Sequence, residues 1–116
     1  MADVNLFRGE PNRRELADGE WLFAAGDPAA EMYAVVEGGV EVVVDDRVVE
    51  TVPPGGFLGE VALLGPGHRT AGARAAGPTT VAVIDETRFL VLVRTNPYFS
   101  LEVMRVLAAR LGRAAG

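Results

Sequence analysis

The chain has 116 residues, a formal net charge of -5 and a sequence pI near 4.8. This length suits one domain with its own core, and it is short for a binding domain joined to a catalytic or DNA-reading domain. The acidic balance argues against a surface that binds nucleic acid or anionic membrane, and the lack of cysteine excludes a disulfide framework and thiolate chemistry.

Hydrophobic residues make up 49% of the chain and charged residues 23%, a composition typical of globular proteins. The N-terminal sequence lacks the apolar run of a signal peptide, and no stretch approaches the roughly 18 apolar residues of a membrane span. We therefore expect a single domain over residues 1–116 that does not enter a membrane, with the cytoplasm as its default location.

From residue 20 to residue 84, short β-rich runs alternate with turn signals, a rhythm typical of an all-β sandwich or barrel. Asp45-Asp46 separates two of these runs and predicts a two-residue β-hairpin. Alternation in the first run places Trp21 and Phe23 on one face of a strand, and we expect both in the core. The predicted strands are Glu20–Phe23, Met32–Val36, Val40–Val44, Arg47–Val52, Thr70–Ala75 and Thr80–Ile84.

After residue 84 the pattern becomes helical. Asp85 is a suitable N-cap for a helix over Glu86–Arg94, and Asn96 followed by Pro97 predicts the start of a second helix. One apolar stripe of the second helix, at helical spacing, is expected to pack against a partner surface. Its members are Leu101, Met104, Ala108 and Leu111.

The fold class that follows is mainly β. We expect an eight-stranded β-roll, or jelly roll, over about residues 13–85, followed by C-terminal α-helices over about residues 86–111. A further short helix is expected inside the β region, in the segment described next.

One run, residues 57–71, interrupts the β pattern with the sequence FLGEVALLGPGHRTA and is called the cassette below. Glu60–Leu64 is long enough for only one helical turn before Gly65-Pro66-Gly67 stops it. We therefore expect backbone N–H groups near Gly59 to lack intrahelical acceptors. A helix start preceded by glycine favours a phosphate, and Arg69 can add two parallel charge-assisted hydrogen bonds.

Glu60 restricts the ligand of such a site, because a carboxylate repels a bare phosphate. A ligand that presents a hydroxyl beside its phosphate removes this conflict, since Glu60 can accept a hydrogen bond from the hydroxyl while Arg69 neutralises the phosphate. The pattern therefore favours a compact sugar phosphate with one negative charge, such as one with a free ribose 2′-hydroxyl. The alternative is that Glu60 and Arg69 form an ion pair on the surface of a loop, which would have little energetic effect.

At these residues the chain closely resembles the cyclic nucleotide-binding domain family, which includes kinase regulatory subunits, nucleotide-gated channels and bacterial regulators of the catabolite-activator type. The family's phosphate-binding cassette is matched by residues 57–64 and by Arg69-Thr70-Ala71, and the resemblance extends over about Leu16 to Leu111. It implies a β-roll that binds cyclic AMP (cAMP) or cyclic GMP (cGMP), with no catalytic residues, no metal and no further cofactor.

By this resemblance, Glu60 would bind the ribose 2′-hydroxyl and Arg69 the exocyclic phosphate oxygens. Family members often close the pocket with a residue of the C-terminal helix, and Arg110 lies at about that place; its alternative is a solvated arginine near a helix end. Without ligand, we expect Arg69 to be a mostly solvated cation. The complete predicted binding set is Leu58, Gly59, Glu60, Val61, Ala62, Arg69, Thr70, Ala71 and Arg110.

The sequence therefore predicts a cyclic nucleotide sensor or regulatory module, not an enzyme, that acts on an effector protein in trans or as a homodimer and does not bind nucleic acid directly. The alternative is a domain of the same fold without useful nucleotide affinity, serving as a protein-interaction or dimerisation module. A metal-dependent enzyme on a similar barrel is disfavoured, because one histidine and no cysteine cannot supply the usual ligands. Thr70 is compatible with either cAMP or cGMP.

Overall fold

The structure, a computed structural model, describes residues 7–63 and 67–115. In this part of the chain eight strands form two four-stranded antiparallel sheets, with the orders β1-β8-β3-β6 and β2-β7-β4-β5. A 3-10 helix at Glu60–Leu63 follows β6, and two helices, α1 (Glu86–Thr95) and α2 (Tyr98–Ala115), follow β8. The strands are β1 (Arg13–Leu16), β2 (Trp21–Phe23), β3 (Met32–Glu37), β4 (Val40–Val44), β5 (Arg47–Val52), β6 (Phe57–Leu58), β7 (Gly72–Ala75) and β8 (Thr79–Ile84).

This architecture confirms the predicted fold class, a mainly β domain with a short cassette helix and C-terminal helices. The predicted strand over residues 70–75 begins two residues later, at Gly72, and the two-residue strand β6 lies inside the cassette. Leu64, the expected end of the cassette helix, lies outside the described residues. Of the helices in the described ranges, none has the length and apolarity that crossing a membrane requires.

β3 shows how the sequence builds two cores. This strand is buried on both faces, which explains its continuous apolar run MYAVV. Met32 and Ala34 contribute to a core that the first sheet shares with the helices, whereas Tyr33 and Val35 contribute to a core between the two sheets. The first sheet is therefore the central layer, with helices on one face and the second sheet on the other.

The β4–β5 hairpin is confirmed, and its turn explains the Asp45-Asp46 corner. Both residues have positive φ, 50° and 63°, as a two-residue turn of type I′ requires. Register in the hairpin shifts between Val42 and Val43, so that Val42 pairs with Glu50 and Val43 with Val48. This irregularity decides which residues of β5 reach the cavity described below.

Trp21 is not a core residue, so this prediction is wrong. Its side chain is 46% exposed and lies over Gly72, while Leu22, the residue between Trp21 and Phe23, is buried at 4%. The pairing of β2 with β7 is irregular between Trp21 and Phe23. Simple alternation therefore does not assign the faces of this short strand, and Phe23 is only partly buried beside the inter-sheet core.

The helix caps follow the prediction closely. The Asp85 side chain accepts a hydrogen bond from the Arg88 N–H at 2.8 Å and caps α1. Asn96 ends α1, and its carbonyl accepts a bond from the Phe99 N–H at 3.0 Å, so α2 begins directly after Pro97. The two helices are therefore separated by only Asn96 and Pro97.

The predicted stripe of α2 does not pack against the domain itself. The helix carries two apolar stripes at helical spacing, and the one that packs includes Phe99 and Val103, which are 2% and 6% exposed. Phe99 decides the choice, because its ring packs 5.6 Å from that of Phe7, 6.1 Å from that of Phe57 and 5.6 Å from that of Phe89. The predicted stripe faces outward, and its exposed members are Leu101, Met104, Ala108 and Leu111.

Candidate functional site

A cavity of about 790 Å³ lies between the cassette, the second sheet and α2. Its lining comes from parts of the chain that are far apart in sequence, from β2 to the last turns of α2. All nine residues of the predicted binding set line this one cavity: Leu58, Gly59, Glu60, Val61, Ala62, Arg69, Thr70, Ala71 and Arg110.

Gly59 fixes the start of the cassette turn. Its φ is +78°, and a Cβ at this position would lie 2.7 Å from Nη1 of Arg69. Glycine is therefore required here for its backbone conformation and for the close approach of the guanidinium. The next residues form a 3-10 helix in which the Ala62 N–H donates to the Gly59 carbonyl at 3.2 Å. The Ala62 N–H therefore has an acceptor just before the helix, at Gly59.

Arg69 is buried, with 9% of its surface exposed, so the expectation of a solvated cation is wrong. Its Nη2 donates to the Glu31 carbonyl at 2.6 Å and its Nη1 to the Gly59 carbonyl at 3.3 Å. The guanidinium carbon lies 4.2 Å from the ring centroid of Phe23 and 5.6 Å from that of Tyr33. These contacts replace water around the cation.

The Nε atom of Arg69 has no hydrogen-bond partner. It is the one buried side-chain nitrogen or oxygen atom among the described residues for which this is so. A buried N–H without an acceptor costs about 1 to 3 kcal/mol. Arg69 is therefore held in place by backbone carbonyls and has one N–H without an acceptor.

Glu60 is also buried, at 3% exposure, and it pairs with Arg110 of α2 and not with Arg69. Nη1 of Arg110 donates to Oε1 of Glu60, and its Nε and Nη2 donate to the two carboxylate oxygens of Glu50 at 3.1 and 2.8 Å. A fourth bond joins Nη2 to the Phe57 carbonyl at 2.9 Å. The surface ion pair between Glu60 and Arg69 is therefore excluded, as is a solvated Arg110.

Burial lowers the pKa of Arg110, but the hydrogen bond to Glu50 and the charge of Glu60 outweigh burial and hold it above its ordinary value. Arg110 is thus a permanent cation between two carboxylates.

The walls of the cavity are mostly apolar. Val42 and Val44 of β4 and Val49 of β5 line it, together with Phe23 of β2. Leu58 is 3% exposed and belongs both to the cavity lining and to the inter-sheet core, whereas Val61 is 63% exposed. The site therefore combines an apolar wall with one buried carboxylate and one buried guanidinium. Within the described ranges, no group of three or more His, Cys, Asp or Glu residues is arranged to hold a metal ion.

Comparison with known proteins identifies the family. The model of the cyclic nucleotide-binding domain matches residues 13–96, which is most of the chain. The chain belongs to the cyclic nucleotide-binding domain family. The Arg69 and Glu60 side chains lie within the matched segment, and Arg110 lies beyond it.

Two curated relatives are regulators. The cyclic AMP receptor protein of Thermus thermophilus is 29% identical over 117 residues, covering 97% of this chain and 54% of the relative. The cAMP-activated global transcriptional regulator CRP of Pasteurella multocida is 31% identical over 96 residues, covering 78% of this chain and 46% of the relative. The chain thus spans about half the length of these relatives.

A solved structure gives the same fold over a more similar length. It comes from work on a cyclic-GMP-dependent signalling pathway that regulates bacterial phytopathogenesis, and it superposes with a TM-score of 0.78 at 28% identity. The likeness covers 95% of this chain and 91% of the solved one. The relatives of this cyclic nucleotide-binding domain therefore include proteins associated with each of the two nucleotides.

Sequence analysis missed Glu50 in this cyclic nucleotide-binding domain. Its carboxylate lines the cavity and binds Arg110, 60 residues further along the chain. No sequence signal indicates it, because a regular two-residue hairpin pairs Val42 with Val49, and the register shift between Val42 and Val43 is what brings Glu50 opposite Val42. A charged side chain at such a position requires a partner.

Proposed function

We propose that this domain is a cyclic nucleotide sensor that binds cAMP or cGMP, with Glu60 accepting a hydrogen bond from the ribose 2′-hydroxyl and Arg69 binding the cyclic phosphate. The observation that carries this proposal is the buried guanidinium of Arg69, whose Nε lacks an acceptor and which shares a cavity with the buried carboxylate of Glu60. A phosphate oxygen would supply the missing acceptor, and a charge-assisted bond of this kind is about twice as strong as a neutral one.

The other predicted residues fit this arrangement. Gly59, Val61, Ala62, Thr70 and Ala71 surround the two charged side chains, and the apolar wall offers a surface for the flat base. Arg110 with Glu50 and Glu60 carries a net negative charge, so Arg69 is the cation that can bind a phosphate with one negative charge.

Output would pass through α2. Arg110 belongs to this helix and contacts Glu60, so a ligand that occupies Glu60 alters the contacts that dock the helix. A ligand shifts such an equilibrium only by its different affinity for the two helix positions. We propose that the receiving partner is an effector protein in trans or a second copy of the chain; the receptor and regulator names of the relatives support a regulatory role.

The test is a calorimetric titration of wild type and Arg69 variants with cAMP and with cGMP. Arg69→Ala should weaken binding by about 2 to 5 kcal/mol, because it removes one partner of a desolvated charge pair. A micromolar ligand would then bind near the millimolar range. Arg69→Lys should recover only part of the loss, since a point charge cannot make two parallel bonds to phosphate oxygens.

Arg74→Ala is the matched control. Arg74 pairs with Glu41 on the second sheet and does not line the cavity, so its loss should leave both affinities unchanged. Because Arg69 also bonds two backbone carbonyls, the melting temperature of each variant should be measured, and binding compared only where the variant is folded. Unchanged affinity in a folded Arg69→Ala protein would show that this phosphate site is wrong.

One observation favours a second candidate function, a protein-interaction or dimerisation module with no useful nucleotide affinity. The outward stripe of α2 leaves Met104 56% and Leu111 68% exposed. This candidate predicts no change in melting temperature with millimolar cAMP or cGMP, whereas a binding domain is stabilised as the ligand concentration exceeds its dissociation constant.

A further inference from the structure

Glu50 is a charged residue on the wall of the cavity that the proposed binding of a nucleotide does not use. It lies on β5 opposite Val42, and its side chain is 24% exposed. Both of its carboxylate oxygens accept hydrogen bonds from Arg110, at 3.1 and 2.8 Å. A second carboxylate in a cavity for an anion opposes binding, and Arg110 offsets part of this effect, because its one positive charge is shared between Glu50 and Glu60.

The hydrogen bonds of Arg110 divide unequally between two carboxylates. Of the four that tie its guanidinium to the domain, two go to Glu50, one to Glu60 and one to the Phe57 carbonyl. If Glu60 were the only carboxylate partner, a ligand that displaced Arg110 from Glu60 would leave the guanidinium without a carboxylate. Glu50 prevents this, because Arg110 keeps a bidentate partner whatever binds at Glu60.

Arg110 also connects the end of α2 to the domain. The described residues around it, Ala108, Ala109, Leu111 and Gly112, are exposed, whereas the Arg110 side chain is 23% exposed. Among residues 108–112, Arg110 therefore makes polar contacts with the wall of the cavity.

We propose that Glu50 is a positioning residue that holds Arg110, and with it the last turns of α2, over the cavity while a ligand hydroxyl binds Glu60. Only the binding of a ligand hydroxyl at Glu60 rests on the proposed function; Glu50 holds Arg110 and α2 without a ligand as well. It gives Glu50 two effects of opposite sign on an anionic ligand. Through Arg110 it slows release of the ligand, and through its own charge it speeds release.

The test is a double-mutant cycle on the dissociation rate, with fluorescent analogues of cAMP and of cGMP chased by excess unlabelled nucleotide. Glu50→Gln should speed dissociation by about 5-fold, which corresponds to a coupling of about 1 kcal/mol between Glu50 and Arg110. In an Arg110→Met background, Glu50→Gln should leave the rate unchanged or slow it. Glu41→Gln, which removes the partner of Arg74 outside the cavity, is the matched control and should change neither rate.

Two outcomes would overturn the proposal. Slower dissociation of Glu50→Gln in both backgrounds would mean that Glu50 acts only as a repelling charge. Equal acceleration in both backgrounds would mean that it does not act through Arg110.

Hydrogen exchange of the nucleotide-free protein separates this inference from the proposed function. Glu50→Gln should speed amide exchange in residues 107–111 by about 5-fold, because the same coupling between Glu50 and Arg110 acts in the free protein. Glu41→Gln should leave the exchange rates unchanged. Faster exchange without any nucleotide binding would refute the proposed function and leave the hold on α2 intact. Unchanged exchange in a protein that binds nucleotide would refute the role of Glu50.

Discussion

Two buried glutamates at different ends of the domain make a direct comparison. Glu10 and Glu60 are each 3% exposed, and each pairs with an arginine of a C-terminal helix, Arg88 of α1 and Arg110 of α2. Arg88 gives Glu10 two parallel bonds of 2.6 Å, one to each oxygen. Arg110 gives Glu60 one bond and divides the rest between Glu50 and the Phe57 carbonyl.

The difference separates a structural pair from one suited to a ligand. Glu10 does not line the cavity, and the hydrogen bonding of Arg88 to the Glu10 carboxylate raises the pKa of Arg88 above its ordinary value. This pair ties the segment before β1 to α1. Glu60 lines the cavity, and its Oε1 is the oxygen that Arg110 occupies. The same two residue types thus serve stability in one place and, in our proposal, recognition in the other.

The largest effect on stability should come from breaking the ion pair between Glu10 and Arg88. Arg88→Met leaves the buried Glu10 carboxylate without its bidentate partner, and we expect the free energy of unfolding to fall by about 2 to 4 kcal/mol. Nucleotide affinity should not change, because neither Glu10 nor Arg88 lines the cavity. Urea denaturation and calorimetry measure the two quantities.

Arg105→Met provides the matched control. Arg105 is 68% exposed and pairs with Glu102 on the surface of α2, so its loss should change the free energy of unfolding by less than about 0.5 kcal/mol. If Arg88→Met lowers the free energy of unfolding no more than Arg105→Met does, the pair of Glu10 and Arg88 does not stabilise the fold.

Glu60→Gln should show the opposite profile, with the larger effect on binding. It converts a charge-assisted acceptor into a neutral one, and we expect affinity for cAMP or cGMP to fall by about 1.5 to 3 kcal/mol. Stability should fall less than in Arg88→Met, because Arg110 keeps Glu50 as its partner.

A ligand that lacks the ribose 2′-hydroxyl tests whether Glu60 contacts that group. A 2′-deoxy cyclic nucleotide should lose a similar amount of affinity on the wild type and little more on Glu60→Gln. Fully additive losses would mean that Glu60 does not bind the 2′-hydroxyl. Glu10→Gln is the companion variant, and it should leave the deoxy penalty unchanged.

Sequence patterns predicted those features of the fold that depend on neighbouring residues. The Asp45-Asp46 turn, the Asp85 cap and the helix corner at Asn96 are all local, and each is present. The packing face of α2 was not predicted, because two apolar stripes have the same spacing and only tertiary contacts of Phe99 distinguish them. The exposed position of Trp21 likewise follows from an irregular pairing that no periodicity reveals.

The candidate site divides in the same way. Family resemblance brought together nine residues, and the structure places all of them around one cavity. Their partners could not be predicted, since Arg110 and Glu50 are 60 residues apart and Arg69 is held by the carbonyl of Glu31, 38 residues away. The expectation of a solvated Arg69 was wrong because the sequence does not show that the Phe23 ring and two backbone carbonyls surround this side chain.

The smallest expected effect concerns Tyr33, whose pKa depends on the charge of Arg69 in the cavity. Its side chain is 7% exposed, and the Arg69 guanidinium lies 5.6 Å from its ring centroid. Burial, followed by the charge of Glu31, raises the pKa of Tyr33, while Arg69 opposes this rise. The neutral phenol is therefore favoured in the folded protein. Its contribution to stability is fully present below about pH 10, the ordinary tyrosine pKa, and is lost as the pH rises through the higher pKa of the folded state.

A phosphate bound to Arg69 would offset the charge that opposes the rise, so the pKa of Tyr33 should be higher in the complex than in the free protein. Phenolate absorbance, followed against pH with and without saturating nucleotide, measures this in a Tyr98→Phe background, where Tyr33 is the one remaining tyrosine. The nucleotide-dependent rise should persist in Arg88→Met, because neither Glu10 nor Arg88 lines the cavity, and it should disappear in Arg69→Ala. A titration midpoint that nucleotide does not move in the Tyr98→Phe protein would place the bound charge away from Arg69, even if the nucleotide occupies the cavity.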